Sequence, residues 1–258
     1  MNQEEYFGRE ISTNIPHGES VFWVLWDNVA EIYKETTKTT FISEISRGQL
    51  DPIVFSGFII SDCYYCFNGP HGYDTCITKM PKGIHRSFFQ YKRNSFIPYN
   101  KKYPEKLNVT NEVNTIPSPA SYAQAEFEKL IALHFEPIYF LIAKLPCEYF
   151  WPKLFSDLSC NFDGNIYRNW MLENSDLSLP YEIGNYLDLA DKENRIDMSI
   201  ANSVYIWGSY FELLNFASAT SDPTPSLCSL TPLEDLSKDI NTLALNCLGM
   251  SPPLAATR

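Results

Sequence analysis

The chain has 258 residues, of which 45% are hydrophobic, and its formal net charge is −11 at pH 7. This hydrophobic fraction is typical of a globular protein and excludes an intrinsically disordered chain. An acidic surface repels phosphate backbones, so the charge argues against nucleic-acid binding. A chain of this length can bury enough apolar surface to fold without disulfides or metal ions.

The predicted helices share apolar side chains that recur every three or four residues. They cover 19–34, 41–45, 52–67, a short stretch near 84–93, 120–133, 137–154, 165–173, 180–190, 198–217 and 232–247. Asp51 followed by Pro52 predicts a helix start, with an acidic N-cap and proline in the first turn. The sequence Asn68-Gly69-Pro70 predicts that this helix ends near Phe67.

No stretch alternates between apolar and polar residues as a half-buried strand would, and no repeat of 20–50 residues is present. We therefore expect an all-α multi-helix bundle over 1–218. From residue 220 the composition shifts to Pro, Ser and Thr, which is typical of a linker. Residues 219–258 are accordingly predicted to form a Pro/Ser-rich linker and a short C-terminal helix packed on or near the same domain.

The location of the chain is predicted from what the sequence lacks. Residues 1–5 contain neither a basic segment nor an apolar run, so we expect no signal peptide. The longest apolar runs, such as 139–143, are far shorter than the roughly 20 residues that span a bilayer. Seven cysteines without a repeating pattern predict reduced thiols in the cytoplasm.

Basic residues concentrate in a single segment of the chain. They are Lys92, Arg93, Lys101, Lys102 and Lys106. Their dispersed spacing predicts a solvated loop rather than a nucleic-acid site.

Asp62 is predicted to lie in the middle of a hydrophobic helix, on the same face as Tyr65. A carboxylate in these surroundings needs a partner, although an Asp on the helix surface is the alternative. Cys63 and Cys66 have the spacing of a zinc or redox motif. Since no second ligand pair accompanies them and they are not at a helix N-terminus, we interpret them as core thiols.

Two further residues are candidates for chemistry. Cys147 follows Pro146 inside a predicted helix, where the proline should kink the helix and could turn the thiol toward a cavity. A single buried cysteine is, however, more often inert than reactive. Glu212 lies in a strongly apolar helix, which should raise its pKa and suit it to acid–base catalysis, unless it is a partly exposed helix residue.

Metal and phosphate sites are not predicted. The four histidines belong to no metal-binding helix pattern, and glycine-rich phosphate loops and the GxSxG elbow are missing. We therefore expect no metal and no cofactor.

These signals occur in a familiar order along the chain. The matching segments are Phe41-Ile42-Ser43-Glu44-Ile45, Gly48-Gln49-Leu50, Ser61-Asp62-Cys63-Tyr64-Tyr65, Pro117-Ser118-Pro119-Ala120-Ser121-Tyr122, Leu145-Pro146-Cys147 and Ser209-Tyr210-Phe211-Glu212. Over about residues 38–217 the sequence thereby resembles the TenA (thiaminase II) family. The resemblance implies a heme-oxygenase-like helical fold without heme or metal. It also implies hydrolysis of thiamin-derived aminopyrimidines to hydroxymethylpyrimidine.

The resemblance also implies roles for individual residues. Cys147 would add to the pyrimidine as the nucleophile, and Glu212 would move the proton to and from the leaving amine. Asp62 would hydrogen-bond the aminopyrimidine ring, and Tyr65 would line the ring site. Tyr210, which belongs to the same segment as Glu212, would also bind substrate.

This chain departs from the family at several of these positions. Ser61 stands where the family usually has Gln before the Asp. Gln124, Trp151 and Asn174 stand where many members have pocket tyrosines, and we expect all three to contact substrate. Because exchanged hydrogen-bonding groups alter discrimination sharply, the preferred substrate could differ. The C-terminal extension could cap the pocket or mediate contacts.

Three functional hypotheses follow from the sequence. The first is a cofactor-independent aminopyrimidine or thiamin hydrolase, which the resemblance implies to be a homodimer or homotetramer. The second is a non-catalytic protein that binds such a small molecule on the same fold. The third, a dimetal oxidase, requires clustered His and carboxylate ligands, which the sequence does not show.

Overall fold

A computed structural model describes residues 11–101, 115–158 and 162–249. The α-helices in these ranges are α1 (Val21–Asp27), α2 (Ala30–Lys38), α3 (Thr40–Ser46), α4 (Pro52–Lys79), α5 (Ile84–Asn100), α6 (Pro119–His134), α7 (Pro137–Asp157), α8 (Arg168–Glu173), α9 (Ser178–Lys192), α10 (Met198–Thr220) and α11 (Lys238–Cys247). Short 3-10 turns lie at Leu227–Ser229 and Leu233–Asp235. The predicted all-α class is confirmed, since the described part of the chain contains no strand.

Helices α7 and α10 form the centre of the bundle. They pack against each other along much of their length, and α4, α6 and α9 pack around α7. Both central helices bury side chains on every face. A helix that is apolar all round is stable only inside a protein, so the composition of these two segments accounts for their position. Within the described ranges, no helix combines the length and the hydrophobicity needed to cross a membrane.

The start of α4 is as predicted, but its end is not. Asp51 caps the helix by accepting a hydrogen bond from the backbone N–H of Ile53 at 2.8 Å. The helix then continues through Gly69 and Pro70 to Lys79. A Cβ atom at Gly69 would lie 2.7 Å from the ring of Phe96, so the glycine permits close packing of α5 rather than ending the helix.

The segment predicted as one helix over 19–34 forms two. Helix α1 ends at Asn28, whose side-chain amide donates back to the carbonyl of Val24 at 3.1 Å. The backbone of Val29 leaves helical geometry before α2 begins. An Asn side chain that bonds local carbonyls competes with the helix ladder, which explains the break.

The basic segment was predicted as a solvated loop, and for Lys92 this is wrong. Lys92 and Arg93 lie in α5, and Lys92 is buried with its Nζ 3.9 Å from a carboxylate oxygen of Glu182 in α9. The sequence could not indicate this ion pair, because its two residues are far apart in the chain. Residues 1–5, 102, 106 and 160, on which other sequence predictions rest, lie outside the described ranges.

The C-terminal segment packs against α6 and α10. Ile240 of α11 is fully buried, and the Trp207 indole N–H in α10 donates to the side-chain oxygen of Asn241 at 2.7 Å. The backbone N–H of Ser237 donates to the hydroxyl of Ser203 at 2.9 Å. These contacts attach the segment to the side of α10, and none of its described residues lines the cavity between α4 and α7.

Candidate active site

A cavity of about 330 Å³ opens between α4 and α7. From α4 it is lined by Asp62, Tyr65 and Cys66, which are three and four residues apart and so share one helix face. Cys63 and Cys66 are both buried and belong to no disulfide within the described residues, as expected for core thiols. The Cys66 sulfur lies 3.7 Å from a carboxylate oxygen of Asp62.

The facing wall comes from α7. Lys144, Cys147, Glu148 and Trp151 all line the cavity, and their spacing of three, four and seven residues places them on one face of that helix. Helix α7 runs through Pro146, and Cys147 is a partly buried residue that lines the cavity. The sequence allowed for a cavity beside Cys147, and the structure places this residue in the cavity wall.

Aromatic rings and carboxylates complete the enclosure. Trp151 meets Trp170 edge to face, with ring centroids 5.2 Å apart. Asn174 lines the cavity and donates its side-chain amide to the carbonyl of Trp170 at 2.8 Å. Glu173 and Asp176, which sequence reasoning did not single out, add exposed carboxylates at the rim.

The cavity environment keeps the Cys147 thiol protonated. Burial raises its pKa well above the usual range, and the charge of Glu212 adds to the shift. Asp62 and Glu148 act in the same direction, whereas the charge of Lys144 opposes them. A thiol in this state is a poor nucleophile until a neighbouring base accepts its proton.

Glu212 is the carboxylic acid whose charge acts most strongly on this thiol. It is 3% exposed and does not line the cavity, but its charge reaches Cys147, Asp62 and Tyr65. Burial raises the pKa of Glu212 to about 8, and a hydrogen bond from Gln124 limits the rise. The raised pKa predicted for Glu212 is therefore found. The alternative, that Glu212 is a partly exposed helix residue, does not hold.

Gln124 lies behind Glu212 rather than in the cavity wall. Its Nε2 donates to Oε1 of Glu212 at 2.6 Å, and its own carbonyl oxygen accepts from the amide of Asn215. Asn215 in turn accepts from the hydroxyl of Ser121 at 3.0 Å, which lies 2.8 Å from the hydroxyl of Ser61. Two of the unusual residues, Ser61 and Gln124, thus belong to a buried network that orients the carboxylate.

A close approach of α10 to α7 positions Glu212 near Cys147. Gly208 lies one turn before Glu212, and a Cβ atom there would be 3.0 Å from Pro146 Cγ and 3.1 Å from the carbonyl oxygen of Ala143. Only glycine allows the two helices this separation without displacement. Sequence reasoning missed Gly208, because its role depends on a neighbouring helix.

A buried ion pair adjoins the same cavity. The Nζ atom of Lys144 is 3.2 Å from Oε2 of Glu128 and donates to the hydroxyl of Tyr65 at 2.6 Å. The Tyr65 hydroxyl donates to the other Glu128 oxygen at 2.6 Å. Sequence reasoning missed Lys144 and Glu128, although a charged residue inside an apolar helix was a usable signal.

Tyr210, which was predicted to bind substrate, lies outside the cavity wall. Its hydroxyl donates to the carbonyl of Pro225 at 3.0 Å, and its ring meets Trp207 edge to face. It is not among the residues that line the cavity. Of the predicted site residues, Asp62, Tyr65, Cys147, Trp151 and Asn174 line one cavity, Glu212 and Gln124 lie beside it, and Tyr210 contacts the C-terminal segment.

No cluster of three or more His, Cys, Asp or Glu side chains arranged to hold a metal ion occurs within residues 11–101, 115–158 and 162–249. The chemistry available in the cavity is that of a thiol, carboxylic acids and an ammonium group.

Comparison of the fold with solved structures decides the architecture. A TenA homologue from Pyrococcus horikoshii OT3 superposes with a TM-score of 0.67 at 19% identity, over 78% of this chain and 98% of that one. The chain has the TenA fold. A TenA family transcription regulator from Silicibacter sp. TM1040 gives a TM-score of 0.65 at 12% identity, over 77% and 95% of the two chains.

A third structure with the TenA fold is described as a putative TenA-like thiaminase, from Sulfolobus solfataricus P2. It gives a TM-score of 0.59 at 19% identity and covers 79% of this chain and 98% of that one. No protein-family model and no curated protein sequence matches the chain.

Proposed function

We propose that this protein hydrolyses a thiamin-related aminopyrimidine to the hydroxymethylpyrimidine, without a cofactor. The observation that carries the proposal is the meeting of Cys147 and Asp62 in one cavity, with Glu212 buried beside them and its pKa raised to about 8. A carboxylic acid with that pKa can donate and accept protons near neutral pH. A structural neighbour described as a TenA-like thiaminase supports the same chemistry.

The reaction divides into two steps around a covalent intermediate. The Cys147 proton first passes to the Glu212 carboxylate, and the thiolate forms a sulfur–carbon bond to the pyrimidine ring. Glu212 returns that proton to the amine as its carbon–nitrogen bond breaks. Water then adds its hydroxyl to the exocyclic carbon and its proton to Glu212. The sulfur–carbon bond breaks, the ring double bond re-forms, and Glu212 returns the proton to the Cys147 thiolate.

The cavity suits a flat ligand that carries an amine. Trp151, Trp170 and Tyr65 provide aromatic surface for a pyrimidine ring. Asp62 and Glu148 provide carboxylates, and Lys144, the one lysine among the described residues of the wall, is already paired with Glu128. Carboxylates in excess favour an ammonium or amino group over an anionic substrate.

A hydrolysis assay tests the proposal. Purified protein is offered 4-amino-5-aminomethyl-2-methylpyrimidine and thiamin separately, and released ammonia and hydroxymethylpyrimidine are measured. We expect product with wild type and with Cys228→Ser, which changes an exposed thiol outside the cavity. Cys147→Ala and Glu212→Gln should lose about 10²-fold or more of the activity. Turnover that survives both variants contradicts the proposal.

A second candidate is a protein that binds the aminopyrimidine without converting it. The high pKa of Cys147 and a structural neighbour described as a TenA family transcription regulator favour this alternative. Calorimetry separates the two functions, because a binding protein would retain the pyrimidine tightly and release no product over hours. The homodimer or homotetramer implied by the resemblance stays a prediction, which light scattering would test.

A further inference from the structure

Along the sequence, Lys144 is the positively charged residue closest to Cys147, the proposed nucleophile. It lies three residues before Cys147 on α7, and both residues line the cavity. Among the described residues that line this cavity, Lys144 is the single Lys or Arg, beside carboxylates from Asp62, Glu148, Glu173 and Asp176. A charge in this position acts directly on any anion that forms at the sulfur.

Two polar contacts and one cation–π contact hold the ammonium group in place. Glu128 of α6 and Tyr65 of α4 both lie within 3.2 Å of Lys144 Nζ, which is also 3.8 Å from the Tyr65 ring centroid. Burial alone would lower the pKa of Lys144, but interactions led by the charge of Glu128 outweigh it and raise that pKa. The lysine therefore keeps its proton, and it is 1% exposed.

The other groups that face Cys147 disfavour a thiolate. Glu212 comes from α10, Asp62 from α4 and Glu148 from α7, and each carries or can carry a negative charge. Burial acts in the same direction. Lys144 is the group in this set that stabilises negative charge on the sulfur.

We propose that Lys144 is a positioning residue that supplies the positive charge against which the Cys147 thiolate forms, with Glu128 and Tyr65 fixing its ammonium group. The proposal rests on the proposed role of Cys147 as nucleophile. When the Cys147 proton moves to the Glu212 carboxylate, the negative charge moves from oxygen to sulfur and Lys144 compensates it there. Because Tyr65 also lines the cavity, the same three residues connect the ring site to the thiol.

A purely structural role would make Lys144 equivalent to the other buried lysine of the described chain. Lys92 is also 1% exposed and lies 3.9 Å from a buried carboxylate, that of Glu182. Lys92 and Glu182 are not among the cavity-lining residues. The pair therefore offers a matched control, with the same burial and charge but no thiol to act on.

The test measures alkylation of Cys147 by iodoacetamide from pH 6 to 10, followed by peptide mass spectrometry. The double variant Lys144→Met/Glu128→Gln removes both charges of the pair, so neither is left buried alone. We expect its Cys147 alkylation at pH 8 to fall about tenfold or more, with the profile moved to higher pH. Lys144→Arg keeps the charge and should keep the wild-type profile. The exposed Cys228 reports any general change in reactivity.

Lys92→Met/Glu182→Gln should leave the Cys147 profile unchanged. An unchanged pH profile of Cys147 alkylation in Lys144→Met/Glu128→Gln overturns the proposal. An equal shift of that profile in Lys92→Met/Glu182→Gln, or in Lys144→Arg, overturns it as well. Alkylation needs no substrate, so this outcome is independent of the hydrolysis assay. A shifted profile in a protein without hydrolytic activity would retain the role of Lys144 while rejecting the proposed reaction.

Discussion

The side-chain amide of Gln124 donates a hydrogen bond of 2.6 Å to the buried carboxylate of Glu212. Gln124 occupies a position expected from sequence to contact substrate, but it acts on the acid beside the cavity. The bond stabilises the ionised form of Glu212 and so restrains a pKa that burial raises to about 8. This relationship makes the protonation of Glu212 the property to measure first.

The activity of the wild-type enzyme should rise with pH through about 8. Below that pKa both Glu212 and Cys147 hold a proton, and no base is free to accept the thiol proton. Above it the pair shares one proton, which is the state that the proposed first step requires. The measurement is kcat/KM from pH 6 to 10, with the ionisation of the substrate determined separately. Activity that is highest at pH 6 would contradict this assignment.

Gln124→Met should move the rising part of the curve of kcat/KM against pH to higher pH by about one unit. Hydrogen bonds to charged groups contribute about 1.5–3 kcal/mol, and one pKa unit corresponds to about 1.4 kcal/mol. Removing the donor therefore raises the pKa of Glu212 further. Gln49→Met, at an exposed glutamine, is the control and should leave that part of the curve in place. Equal profiles for the two variants would show that the Gln124 bond does not govern Glu212.

Glu212→Gln should stabilise the protein progressively as the pH rises. Because the folded-state pKa is about 8 and the ordinary value is 4.5, the folded state holds a proton that the unfolded state has lost between these values. The stability contribution of this proton is present below pH 4.5 and is lost at about 1.4 kcal/mol per pH unit up to 8. Glutamine has no such loss. Urea unfolding at pH 6, 7, 8 and 9 should show a difference that grows and then levels off. A pH-independent difference counts against a raised pKa.

Gly208→Ala should lower both stability and turnover. The new methyl group would lie within 3.1 Å of Pro146 and of the Ala143 carbonyl, so α10 must move away from α7. We expect a loss of about 1–3 kcal/mol from overpacking. The accompanying shift of a few tenths of an ångström between Glu212 and Cys147 should reduce kcat, by less than the roughly 10²-fold that a misplacement of about 1 Å can cost.

Gly57→Ala in α4 is the matched control for this change. No heavy atom lies within 4 Å of the position that its Cβ would occupy. Alanine there should stabilise the helix by about 0.5–1 kcal/mol and leave kcat unchanged. Thermal unfolding and steady-state kinetics on both variants distinguish a steric effect at Gly208 from a general effect of helix composition.

Local sequence signals predicted most helices, and their failures have tertiary causes. Asn68-Gly69-Pro70 has the composition of a helix end, but α4 continues because Phe96 packs against the face of Gly69. No pattern within α4 contains that information. In contrast, the N-cap at Asp51 depends on adjacent residues only, and it was predicted correctly.

In the candidate site, too, features that depend on one helix were predicted and features that depend on how helices pack were not. Spacing on a single helix placed Asp62 with Tyr65, and the structure has both in one cavity wall. The orientation of Gln124 toward Glu212 depends on how α6 meets α10, which sequence spacing does not determine. Tyr210 illustrates the opposite case, since its neighbour in sequence is at the site while its own hydroxyl contacts Pro225.

The Lys144–Glu128 pair also constrains how this sequence can diverge. Replacing one member alone leaves the other charge buried without its partner, at about 3–5 kcal/mol, whereas replacing both with apolar residues can be neutral. Neutral drift at these two positions must therefore pass through paired substitutions. Among proteins of this fold, a lysine at the position of Lys144 and an acid at that of Glu128 should be inherited together or lost together.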